Sequence, residues 1–108
     1  MNFQNIVVRG KDNPVAIKFY FRGEFAELGL NNFSRIVVNI DSETYDSDLT
    51  NKVAIIAADE LRLRIGDVTS LAAGEYQATI TGYSTTYNDG YELTSPNNPL
   101  LGEIIVVD

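Results

Sequence analysis

Apolar residues recur at every second position in three stretches of this chain, and that period leaves room for little besides β-structure. In PVAIKFYFR, Val15, Ile17, Phe19 and Phe21 alternate with Ala16, Lys18, Tyr20 and Arg22. In FSRIVVNI, Ile36, Val38 and Ile40 alternate with Arg35, Val37 and Asn39, and in LRLRI, Leu61, Leu63 and Ile65 are separated by Arg62 and Arg64. Successive side chains of an extended backbone point to opposite faces, so each stretch predicts a strand with one buried and one solvated side.

Shorter β-branched clusters predict further strands: NIVVR near the start, KVAII at 52–56 and GEIIVV at the end. Turn-forming residues separate them, in GKDNP (10–14), GLNN (29–32), the acidic DSETYDSD (41–48), Asn88-Asp89-Gly90 and SPNNP (95–99). Val53, Ile56, Ala57, Glu60 and Leu61 also fit one face of a helix, which leaves a short helix over 50–60 as an alternative to a strand. No repeat, linker or low-complexity tract divides the 108 residues. A chain of this length buries about 65% of its unfolded surface in one core. The expectation is an all-β sandwich, a single domain over 1–108.

Composition narrows the chemistry. The chain has no cysteine and no histidine, which removes disulfides, thiolate metal sites, the commonest nucleophile and the commonest general base. No apolar run approaches the roughly 18 residues of a membrane span, so no membrane partner is expected. The opening Met1-Asn2-Phe3-Gln4-Asn5 lacks the basic and apolar regions of a secretory signal, and the expectation is a protein made in the cytoplasm without a signal peptide. Net charge is −7 and uneven: residues 1–40 hold five Lys/Arg against three Asp/Glu, residues 41–108 three against twelve. Nucleic acid as a partner needs a basic footprint that this distribution does not provide. Contact between complementary faces of identical copies is compatible with it, as is a solvated acidic surface.

Three groups of residues are candidates for chemistry or recognition. Asp41, Glu43, Asp46 and Asp48 form the one dense carboxylate cluster, whose alternate spacing could gather oxygens around Ca²⁺, although it lacks the central Gly and terminal Glu of a helix-loop-helix calcium loop. Solvated turns between strands have the same composition. Glu75 and Glu92 are the pair to consider for glycosidase-type acid and base work, but sequence separation says nothing of their spacing in space. No phosphate-binding glycine loop follows a strand. Neither a catalytic site nor a cofactor is expected. The third group is Tyr83, Tyr87, Asp89 and Tyr91, a candidate interaction loop in which tyrosines at spacing four stand among Ser, Thr, Asn and Asp. Rigid aromatic area with adaptable hydrogen bonding suits recognition. The three rings could share one face of a hairpin and stack on a sugar or seat a neighbouring subunit, or could stabilise the hairpin locally.

The stretch LRLRIGDVTSLAAGEYQATITGY carries a resemblance. A strand, then Leu71, Gly74 and Tyr76 in Leu-x-x-Gly-x-Tyr, then an alternation of Tyr76, Ala78 and Ile80 is similar to the E-to-F crossing of immunoglobulin-like sandwiches. There a tyrosine packs inward and its hydroxyl bonds the backbone of the connection just crossed, satisfying a group stranded near the core. Gly74 would answer a need for positive φ or close backbone approach. The chain lacks the Cys pair and Trp of antibody domains. With VAIKFYF, FAELGLNNF leading into RIVVNI, and the final IIVV, it looks most like sandwich domains of tailed-bacteriophage structural proteins of baseplate, tail or head-decoration type. The resemblance implies an immunoglobulin-like, two-sheet antiparallel β-sandwich of about seven strands. It also implies a non-enzymatic virion protein that assembles with copies of itself, as a homo-oligomer, and with other virion components. The alternative is a carbohydrate- or receptor-binding module using the Tyr83–Tyr91 loop.

Overall fold

The alternating stretches become strands whose inner residues form a common core. The computed structural model describes residues 5–19, 21, 27–94 and 103–107. Among them are β1 (Asn5–Val8), β2 (Val15–Lys18), β3 (Arg35–Ile40), β4 (Glu43–Asp46), β5 (Val53–Ala57), β6 (Glu60–Leu63), β7 (Gly74–Gln77), β8 (Thr79–Tyr83), β9 (Tyr91–Thr94) and β10 (Glu103–Val107), with one 3-10 turn at Gly29–Asn32. The protein is all-β, and the strands form three sheets ordered β1-β10-β7, β2-β6-β5 and β4-β3-β8-β9. Inner residues of all three sheets, such as Val7, Ile17, Ile36, Val38, Leu61, Ile80 and Ile104, meet in one hydrophobic cluster. Full burial of such a side chain contributes about 1.5–3 kcal/mol relative to leaving it exposed.

The three alternating stretches keep the faces their period dictates. Ile36, Val38 and Ile40 of β3 are buried, as are Leu61 and Leu63 of β6 and Ile65 just beyond it. Val15 and Ile17 are buried while Ala16 and Lys18 are exposed. β2 ends at Lys18, but Phe19 remains buried and stacks on Phe21 with ring centroids 5.8 Å apart. Tyr20, Arg22 and the SPNNP turn lie outside the described residues.

The helical alternative over 50–60 is not taken. β5 and β6 form an antiparallel hairpin with Val53 opposite Leu63 and a bulge between Ile55 and Ala57. Val53 is buried at 2% exposure while Ile56 is 46% exposed, although a helical face would have buried the two together.

The architecture departs from the expected two antiparallel sheets of about seven strands in three places. DSETYDSD, expected as a turn, contains β4, because its carboxylates are held by partners on β3 and on the loop after β6. The alternation of 76–83 is interrupted at Ala78: β7 pairs with β10, whereas β8 pairs with β3 and β9. Tyr76 and Ile80 therefore belong to different sheets. The third departure is that β1 runs parallel to β10, with Ile6 opposite Ile105 and Val8 opposite Val107.

Close packing at the end of β8 depends on a missing side chain. Gly82 lies opposite Ile36 on one side and Tyr91 on the other, under the buried ring of Phe33. A Cβ at residue 82 would stand 2.6 Å from two carbons of that ring. Overpacking of this kind costs about 1–3 kcal/mol, so Gly82→Ala should lower the denaturation midpoint accordingly. The loss should shrink when Phe33→Leu is present, and equal losses in both backgrounds would exclude the ring as the cause.

Candidate functional site

The expected corner is present, with its bond in place and its burial reduced. The connection from β6 to β7 passes from the sheet of β2 and β5 to the sheet of β1 and β10. Leu71 is buried beneath it, and the Tyr76 hydroxyl donates to the Ala72 carbonyl at 2.7 Å. Tyr76 is half-buried with its ring against the core, and this hydrogen bond is exposed to solvent, as is Ala72. The expectation of a buried phenol is corrected accordingly: solvent competes for the carbonyl. Close approach does not explain Gly74 either. Its φ is 159°, near full extension, and a Cβ there would meet the Tyr76 ring only at an ordinary 3.8 Å.

A second fastening of the same connection has no counterpart in the sequence pattern. The Glu43 Oε1 accepts from the hydroxyls of Tyr45 and of Thr69, the latter at 2.6 Å. Its Oε2 accepts from the Ser70 backbone N–H at 2.7 Å and the Ser70 hydroxyl at 2.6 Å. One carboxylate thus ties β4 to the loop 26 and 27 residues later. Burial alone would raise the pKa of Glu43, but donors from Ser70, Thr69 and Tyr45 outweigh it and hold the group at about 2. Burial and the neighbouring Glu43 carboxylate push the Tyr45 phenol up. A carboxylate so stabilised is a poor general base, since base strength falls with pKa. Its role is to fix the loop.

The remaining acids disperse instead of gathering around a cation. Strand alternation in β4 places Glu43 and Tyr45 opposite Ile40 and Val38, on the core side, and Asp46 opposite Val37, on the outer side. There the Arg35 Nε donates to both Asp46 oxygens at 3.0 Å, and the other guanidinium nitrogen donates at 2.5 Å. The Arg35 bond first, and then the Asp48 backbone N–H, hold the Asp46 carboxyl below its ordinary value despite its 7% exposure. Asp41 is an exposed turn residue at φ 53°, and Asp48 is exposed with its carboxylate 3.9 Å from Arg35. Among the described residues no three His, Cys, Asp or Glu side chains group as metal ligands. The paired-acid idea fares no better, because Glu75 and Glu92 stand exposed on different sheets.

The tyrosines divide between two faces. Gly82 pairs with Tyr91, which puts Tyr91 on the core side beside Phe33 at 6.1 Å, and Tyr87 joins them at 6.0 Å from Phe33 and 5.3 Å from Tyr91. One residue further along β8, Tyr83 points outward, opposite Arg35, whose guanidinium carbon lies 4.9 Å from the ring centroid. Such stacking at exposed sites contributes about 0.5–1 kcal/mol. The expected single face of three rings is not formed. Spacing four implies a shared face only along uninterrupted structure, and here a turn intervenes, with Ser84 N–H and Gly90 N–H donating to the Tyr87 carbonyl. Asp89 is exposed at that turn.

An open groove of about 470 Å³ lies beside the carboxylate latch, lined by Tyr45, Leu49, Thr50, Lys52 and Val68 among others. Leu49, at 84% exposure, stands at its lip. The surface of the groove is mostly apolar, and its lining also includes Thr44, Asp46 and Lys52, the last bonded to Asp67 at 2.9 Å. No helix among the described residues is long and apolar enough to cross a membrane. No protein family, curated protein or solved structure matches the chain.

Two outcomes follow from the fastenings. Glu43→Gln should cost about 1.5–3 kcal/mol at neutral pH, the range for bonds to a charged group. Because the folded-state pKa lies near 2 and the ordinary value is 4.5, the Glu43 contribution is complete above pH 4.5 and lost as pH falls toward 2. Urea denaturation of both forms should therefore show their gap closing across that window, and a constant gap would exclude the latch. Tyr76→Phe should cost only about 0.5–1 kcal/mol, because the freed carbonyl is open to water. A loss several times larger would show that the phenol is buried after all.

Proposed function

We propose that this chain is a non-enzymatic structural protein of a tailed-bacteriophage particle, an immunoglobulin-like sandwich that works through contacts with its own copies and with other particle proteins. The observation that carries this reading is the contrast between its polar and apolar groups. The buried or part-buried acids Glu43 and Asp46 are taken up by bonds inside the fold, while Ile6, Leu28, Leu49, Ile56 and Val68 remain exposed. Chemistry needs polar groups aimed at open space, whereas docking needs apolar surface that water leaves readily. The Leu71-x-x-Gly74-x-Tyr76 crossing, with its hydroxyl-to-carbonyl bond, supports the immunoglobulin-like part of the reading. The sugar-binding alternative has lost its three-ring platform, since Tyr83 lies across the sheet from Tyr87 and Tyr91.

Sedimentation of the chain alone, and mixed with capsid, portal and tail proteins encoded by neighbouring genes, tests the proposal. The expected result is association with at least one of these species and no signal on a glycan array. A chain that stays monomeric and joins no particle protein, or whose gene lies among unrelated metabolic genes, would overturn it.

A further inference from the structure

Resting on that reading, the geometry points to one particular contact: the free edge of β4 takes an extended segment of another particle protein as an added strand. β4 is the outermost strand of the sheet β4-β3-β8-β9. Its hairpin with β3 pairs Ile40 with Glu43 and Val38 with Tyr45, and just beyond it the Ser47 N–H donates to the Ile36 carbonyl at 2.9 Å. Bonded positions alternate along an antiparallel pair, so Glu43, Tyr45 and Ser47 turn their main-chain groups to β3, and Thr44 and Asp46 turn theirs away from it. The Asp46 carbonyl accepts from the N–H groups of Leu49 and Thr50. The Thr44 N–H, the Thr44 carbonyl and the Asp46 N–H are bonded by nothing among the described residues. An added strand would meet these three groups with three main-chain hydrogen bonds.

This edge opens onto the groove. Thr44, Tyr45 and Asp46, consecutive along β4, line it together with Leu49, Thr50 and Val68. Strand alternation then fixes what the partner presents. Its residue opposite Thr44 lies on the outer side of the sheet, and the next one, beside Tyr45, enters the groove. Leu49 and Val68 are both exposed there, and an apolar side chain between them would take their surface out of water.

Charge selects the occupant. Asp41 precedes β4 and Asp48 follows it, both exposed, while the nearby cations Arg35 and Lys52 are bonded to Asp46 and Asp67. A second copy pairing through its own β4, Thr44 against Thr44, would bring Asp41 of each copy near Asp48 of the other. Like charges so placed oppose pairing, as does the net charge of −7 on each chain. A segment with an apolar centre and Lys or Arg at its two ends meets the same two carboxylates favourably. The partner is therefore extended, apolar toward the groove and basic at its ends.

A short synthetic peptide of alternating threonine and valine with a lysine at each end serves as probe, titrated into the full chain and followed by amide NMR and hydrogen exchange. Binding should saturate and slow exchange at the Thr44 and Asp46 amides. Thr44→Pro removes one donor without touching the hairpin, because that N–H points away from β3, and should weaken binding about tenfold or more. Thr44→Val keeps the N–H and should bind within about twofold of the unaltered chain. Glutamate in place of the two lysines should weaken the peptide about tenfold at low salt. Should Thr44→Pro fail to fold, the exchange pattern of the unaltered chain decides instead. Binding that survives Thr44→Pro, slowed exchange centred on another strand, equal affinity for the acidic peptide, or no binding at millimolar peptide would overturn this edge. Self-association of the chain alone that disappears in Thr44→Pro would overturn the occupant, making it a second copy. A particle protein joined equally well by the Thr44→Pro chain would overturn the edge and leave the structural reading standing. A chain that binds the peptide and joins no particle protein would uphold the edge and overturn that reading.

Discussion

The backbone leaves one sheet and enters another at Ala78, and the rest of the molecule is arranged around that transfer. Residues 74–77 bond to β10, and residues 79–83 lie between β3 and β9, so one short segment serves two sheets with a single unpaired position between them. Ala78 is fully buried there, at the point where the pairing partners change. A strand shared in this way prevents the sheets from sliding independently, because any shift of one register would pull on the other. The preceding connection must then arrive at a fixed height, and three fastenings set it: Gly10 N–H to the Gly66 carbonyl, Thr69 and Ser70 to Glu43, and Tyr76 to Ala72.

What could be read in the sequence is what has a local cause. Ile36, Val38, Ile40, Leu61 and Leu63 are buried as their period requires, because alternation is a property of the strand itself. The corner could be read too, since Tyr76 and Ala72 are four residues apart. β4 could not. Its residues look like a solvated turn until Arg35, Thr69 and Ser70 are brought to them, and those partners lie 11 to 27 residues away. Nor did the sequence reveal the break at Ala78, because the alternation of Tyr76, Ala78 and Ile80 continues through it while the hydrogen-bond partners change. The tyrosines misled for a related reason: a hairpin about Asn88-Asp89-Gly90 was expected to set all three rings on one face, but which residues of its arms meet is decided by register and not by spacing. The register Gly82 to Tyr91 then sends neighbouring rings to opposite faces.

The charged residues follow the same internal economy. Arg35 is held by Asp46, Arg64 by Asp12, and Lys52 by Asp67, each joining segments distant in sequence. Exposed ion pairs contribute roughly 0–1 kcal/mol each, so the Arg64 and Lys52 pairs serve more to orient loops than to stabilise the core, whereas Asp46 of the Arg35 pair is buried. Their consequence for the surface is larger. The chain has only eight basic residues against fifteen acidic ones, and three of the eight are spent on these pairs.

Free copies of such a chain, at net −7, repel one another at distances up to about the 8 Å screening length of physiological salt. Association therefore cannot be led by long-range attraction, and any contact must gain its energy within van der Waals range. Apolar surface acts at that range, and its favourable term grows with the area removed from water. On the outer side of β1 and β10, Ile6 lies beside Ile105 and Val8 beside Val107, an aliphatic surface of that short-range kind.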